Sequence, residues 1–141
     1  METRNDNKCD NRERIPGEGL YEYAVIRYVP RVEREEFINV GLVMMCKRSR
    51  WMRARLAVSP ARLAVYDCAH TPGEIEEQLG IFLRLADGDR NAGPMATLPV
   101  EERFRWLTAV KSSCIQTSRP HPGTSDDLDT TFDRLFDELV M

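Results

Sequence analysis

Few side chains in this sequence have the types and spacing that chemistry asks for. Cys68-Ala69-His70 and the pair Cys114 and His121 each offer a thiol and an imidazole, which together make a donor set for tetrahedral zinc. The spacings Cys-x-His and Cys-x6-His match no zinc pattern, and the two pairs stand far apart in the chain. No metal and no cofactor is expected. Cys114 and His121 are also the pair to weigh as a nucleophile beside a base. Only two histidines are present, and there is no Gly-x-Ser-x-Gly, phosphate-binding loop or dinucleotide fingerprint. An enzyme is therefore not the favoured reading. Glu35-Glu36 and Asp126-Asp127 have the carboxylates for a divalent cation, but a solvated loop and a helix start account for them more simply.

Recognition has more to work with. Arg27, Arg31, Arg34, Glu36, Asn39 and Gly41 gather polar groups and a glycine at one end of an otherwise apolar stretch. Two readings compete. An Arg27 to Glu36 ion pair braced by the Asn39 amide would be a structural clasp. The same residues turned outward would meet a protein, where arginine and tyrosine are favoured anchors. A second candidate contact is the rigid segment carrying Gln116, Arg119, His121 and Gly123, and a third, weaker one is the stretch 87–98. Tyr23, Arg53 and Arg55, joined by Arg27 and Asn39 on an open sheet face, would suit single-stranded RNA through stacking and phosphate contact. Against that stand the missing RNP-type motif and a pI of about 5.5. The plainer alternative pairs these arginines with Glu33, Glu35, Glu36 or the acidic helices.

The elements that must position these residues follow from periodicity. Residues 21–29 are rich in aromatic and β-branched side chains, and Pro30 ends the run. Alternation sends Ala24, Ile26 and Tyr28 to one side and Tyr23, Val25 and Arg27 to the other. Residues 37–46 form a second strand, apolar on nearly both faces, as suits a central strand covered by other elements. A uniform period of two puts Ile38, Val40, Leu42, Met44 and Cys46 together. Gly41 marks a bulge or a close backbone approach. The charged residues 31–36 between the strands make one helical turn or an open loop. A third strand over 51–58 completes an antiparallel meander, because both connections are short.

Helical signals follow. Ser59-Pro60 opens a short piece, and Thr71-Pro72-Gly73-Glu74 is a capping box that starts a helix running to about Ala86. Residues 87–98 read as a loop, and 100–112 as a helix. Residues 114–118 read as a short strand or an extended segment, while the two prolines of 119–123 exclude regular structure. A last helix, capped by Thr124 or Ser125, carries Leu128, Phe132, Leu135, Phe136 and Leu139 on its apolar stripe. Asp129, Asp133, Asp137 and Glu138 lie on its wet side. The expected fold is α+β, a small antiparallel sheet of three to four strands with about four helices packed on one face. Residues 1–19 read as a loosely attached tail and 20–141 as a single domain.

Composition narrows the setting. No run approaches a membrane span, the polar N-terminus is no signal peptide, and a cytoplasmic protein with reduced thiols is the default. The net charge of -3 hides a split. Basic residues outnumber acidic ones nine to four over 20–62, and acidic ones lead thirteen to seven over 71–141. Such a split suggests a partner surface or internal complementarity.

Tyr23, Val25, Ile26, Arg27, Tyr28 and Pro30, a charged spacer with Arg34, then Glu36, Phe37, Asn39, Val40 and Gly41 form a motif. It resembles the opening of the bacterial DUF3037 family, a domain of unknown function. Ile115-Gln116, Gly123 with Asp126 and Asp127, and a closing helix ending Leu139-Val140 resemble the family as well. The resemblance implies an α+β fold and a place near HipA-like kinase proteins in bacterial genomes, but it assigns no catalytic residue. The expectation for function is a small interaction or accessory factor with a protein partner, such a kinase being one candidate, with a nucleic-acid-binding module or an unrecognised enzyme as the alternatives.

Overall fold

The computed structural model describes residues 19–66, 68–109 and 114–141. Strand β1 (Leu20–Tyr28) lies inside a five-stranded sheet. Along one side it pairs antiparallel with β2 (Ile38–Cys46), and β3 (Trp51–Leu56) pairs with β2 in turn, which is the expected meander. Along its other side β1 is paired in two pieces. β4 (Ile115–Thr117) covers 26–28, and β5 (His121–Thr124) covers 20–23. The fifth strand is a correction, because it falls largely in the segment expected to be irregular. β5 bonds to β1 alone, and an edge strand tolerates a proline because only one side of its backbone has to bond. The gap between β4 and β5 is closed by Ser118, which is buried. Its hydroxyl accepts from the Val25 N–H at 2.9 Å, and its own N–H donates to the Val25 carbonyl at 2.8 Å.

β2 carries a bulge. Ile26 faces Gly41 and Arg27 faces Asn39, so Val40 is an extra residue on β2. The alternation flips there. Ile38 and Val40 share a core with Val43 and Met45, whereas Leu42, Met44 and Cys46 face the opposite way, contrary to a uniform period of two. The close approach expected at Gly41 is present as well. A Cβ at that position would lie 2.8 Å from the Arg55 carbonyl oxygen and 2.9 Å from Leu56 Cδ2.

The flip gives the sheet two apolar faces, and each is covered. On one, Ala24, Ile26, Tyr28, Val40 and Val43 pack against α2 (Pro72–Asp87) and α3 (Val100–Leu107), with Leu63 of the short α1 (Pro60–Leu63). On the other, Tyr21, Val25, Leu42, Met44 and Cys46 pack against Phe132, Leu135 and Phe136 of α4 (Leu128–Leu139). The expectation of helices on one face is thus corrected: α4 lies across the sheet from the others. An apolar patch on a strand has to be buried, and the stripe of α4 is what buries it.

Local signals set most helix ends. The Thr71 hydroxyl accepts from the Glu74 N–H while the Glu74 carboxylate accepts from the Thr71 N–H, as the capping box predicts. Gly88 closes α2 in the left-handed region at φ 69°. Residues 87–98 include two short 3-10 turns, Arg90–Ala92 and Pro94–Thr97. α3 stops at Leu107, and the last residues of the helix expected to 112 lie outside the described residues. So do residues 1–18 of the expected tail, with Cys9. The cap of α4 is Asp127, not Thr124 or Ser125. Its carboxylate accepts from the Thr130 N–H at 3.2 Å, and the Ser125 hydroxyl supports it by accepting from the Asp127 N–H. Among the described residues, no helix is long and apolar enough to cross a membrane.

Candidate functional site

Strand pairing brings together residues that lie far apart in the chain. Arg27 on β1 stands opposite Asn39 on β2 and opposite Gln116 on β4. Directly opposed residues share a face, so the three side chains form one polar row across the sheet. The row lies on the α4 side, just past the C-terminal end of that helix, where the Asn39 amide donates to the Leu139 carbonyl at 2.9 Å. Arg62 adds a second tie, donating to the Val140 carbonyl at 2.8 Å, a cation at a helix C-terminus.

The expected clasp is not formed. Glu36 takes Arg34 at 2.9 Å, and Glu33 takes Arg31 at 3.0 Å, so these two carboxylates are used within the connection. The connection itself is a single 3-10 turn, Val32–Arg34, with Glu35 left-handed at φ 58°. Arg27 lies instead over the ring of Phe37, its guanidinium carbon 3.9 Å from the centroid. Its side chain has no ion pair and no hydrogen bond to any described residue. Its Nε is buried without a hydrogen-bond partner, and so is Asn39 Oδ1. Buried polar atoms are rarely left so, and here a donor and an acceptor are orphaned on facing residues. Partial burial pulls the Arg27 guanidinium below its ordinary basicity. Phe37, at 43% exposure, borders the row as apolar surface, and Val32 in the connection is exposed as well.

The basic residues expected on an open sheet face are under α4. Arg53 pairs with Asp129 at 3.0 Å and Arg55 with Asp133 at 2.9 Å. Both guanidinium groups lie about 5 Å above the ring of Phe132, and Arg55 is equally near Phe136. The plainer reading of these arginines, pairing with an acidic helix, is the arrangement found. Tyr23 is half-buried with its ring 5.3 Å from that of His121. The second contact segment is dispersed: Gln116 joins the polar row, Arg119 is exposed, and Gly123 is packed beneath the Tyr21 ring.

Cys68, His70 and Cys114 converge, and His121 stays away from them on the other face. The hub is the Tyr28 hydroxyl, 3.0 Å from His70 Nδ1. Burial raises the Tyr28 phenol above its ordinary 10.0, and the thiols of Cys68 and Cys114 push in the same direction. Such a phenol stays protonated and does not act as a base. Cys114 reaches Gln78, which borders a small cleft of about 210 Å³ beside Phe82, Trp106, Leu107 and Thr117. Among the described residues, no group of three or more His, Cys, Asp and Glu is arranged to hold a metal ion.

Sequence reading missed the Phe37 floor, the Tyr28 hub and the role of Ser118. The signal for Phe37 was visible, an aromatic directly between a charged connection and a strand. Nothing local marks Ser118, whose partner Val25 lies 93 residues away.

No curated protein and no solved structure is similar enough to match. The family model of DUF3037, described as a protein of unknown function, matches residues 23–140. That span starts just before the polar row and ends at the tail of α4, and it takes in every described element from β2 onward. The chain belongs to the DUF3037 family.

Proposed function

We propose that this chain is an interaction or accessory factor that engages a protein partner at the end of the sheet where β1 and β2 are joined. One observation carries the reading: Arg27 lies over an exposed Phe37 with no counter-ion among the described residues. Arginine and aromatic side chains are over-represented among the residues that dominate interface energies. Arg31 and Arg34 are already paired with Glu33 and Glu36, which leaves the exposed Phe37 as the apolar centre of a polar-rimmed surface. A kinase of the kind that the family resemblance implies is the first partner to try.

Co-purification of the tagged chain from its host, with and without nuclease and at low and high salt, tests this. The expected result is a stoichiometric protein that survives nuclease and is lost when Phe37→Asp replaces the wild type. Nucleic acid that salt strips away would instead favour the rival class. A protein retained equally by wild type and F37D would overturn the assignment of this surface.

A further inference from the structure

We infer that the row Asn39, Arg27 and Gln116 receives a carboxylate carried on an apolar stem, a side chain or chain end of the protein partner proposed above. The inference rests on that reading for the identity of the partner. The chemistry rests on the row itself.

Arg27 is a partly buried cation that nothing among the described residues neutralises. Of the three carboxylates in the connection, Glu33 and Glu36 are taken by Arg31 and Arg34, and Glu35 makes no ion pair with Arg27. Its register neighbours are carboxamides, which are neutral. The last carbonyls of α4 are held by Asn39 and Arg62. A desolvated charge left unpaired is costly, and an anion supplied from outside offsets that cost.

The geometry selects among anions. The ring of Phe37 lies 3.9 Å from the guanidinium carbon and covers one side of the group. Nε is the buried nitrogen, so the end offered outward is the pair of Nη groups. Two parallel N–H groups in one plane match the two oxygens of a carboxylate. One arginine flanked by neutral amides suits a planar monoanion better than a phosphate, whose higher charge and three oxygens call for more donors. The exposed Phe37 gives the apolar stem a place to rest.

The test uses the full chain, labelled with nitrogen-15, and two probes of nearly identical shape, N-acetyl-leucine and N-acetyl-leucinamide. N-acetyl-leucine should shift the Arg27 Nε–Hε resonance and the amide resonances of Asn39 and Gln116 saturably, and N-acetyl-leucinamide should not. Arg27→Gln should weaken the carboxylate probe at least about tenfold, and Arg27→Lys should fall between, since it keeps the charge and loses the fork. Equal responses to the two probes in the wild type would overturn the proposal without any variant. So would unchanged binding by R27Q. A response to inorganic phosphate with none to N-acetyl-leucine would make this a phosphate site and overturn the carboxylate assignment. Loss of the partner in co-purification with N-acetyl-leucine binding intact would remove the partner reading alone.

Discussion

Arg27 and Arg55 share a residue type and have opposite fates. Arg55 is neutralised by Asp133 and stacked on two phenylalanines. Arg27 is stacked on one and neutralised by nothing described. The difference is the reach of α4, which stops before the polar row begins. At the same scale Gly41 is the residue that geometry constrains most tightly. An added methyl would press on the backbone of β3 through the Arg55 carbonyl, and backbone cannot rotate out of the way. Gly41→Ala is therefore expected to cost about 1–3 kcal/mol through overpacking, read as a lower urea midpoint with an unchanged slope. A midpoint equal to wild type would show that β2 and β3 separate more easily than their packing suggests.

Among the elements, α4 is started by a side chain whose charge matters. Hydrogen bonds from the Thr130 hydroxyl and N–H hold the Asp127 carboxyl below its ordinary 3.8. A carboxyl lowered in the folded state contributes stability that is complete above the ordinary value and fades as pH falls through the lower folded one. Glu74 at the start of α2, and Glu33 and Glu36 in the connection, are shifted in the same direction. All four are solvent-facing, so the acid limb should be shallow. Asp127→Asn keeps a good cap and removes the titration. Its melting temperature should match wild type near pH 7 and decline less steeply below about pH 4. Parallel declines in the two proteins would mean that the cap does not titrate with folding.

For the whole molecule, the charge split of the sequence becomes a contact between β3 and α4. The contact looks electrostatic, yet its strength should be apolar. The ion pairs of Arg53 and Arg55 are more than a third exposed, and such pairs are worth about 0–1 kcal/mol each. Phe132 is fully buried between the sheet and Phe136, and it meets Trp51 edge-on at 6.3 Å. Phe132→Ala should cost about 3–5 kcal/mol, while the pair Arg53→Ala and Arg55→Ala should cost far less. Denaturant titration separates the two. A double arginine variant as unstable as F132A would show that charge, not packing, seats α4.

The sequence alone determined the strands β1, β2 and β3, the starts of α2 and α4 to within three residues, the apolar stripe of α4 and the two unusual properties of Gly41. These are local matters, set by a two- or 3.6-residue period, by the φ of a proline or by a cap four residues long. Only the tertiary structure decided which face α4 covers, because a single bulge reverses every side chain beyond it and no local signal says which way. It decided that a proline-bearing segment becomes a strand, since the free edge of β1 supplied bonds that no neighbour in sequence could. It also decided the site. Asn39, Arg27 and Gln116 stand in one row because β1 is paired on both sides, and the clasp with Glu36 fails because Arg34 lies two residues from that carboxylate and reaches it first.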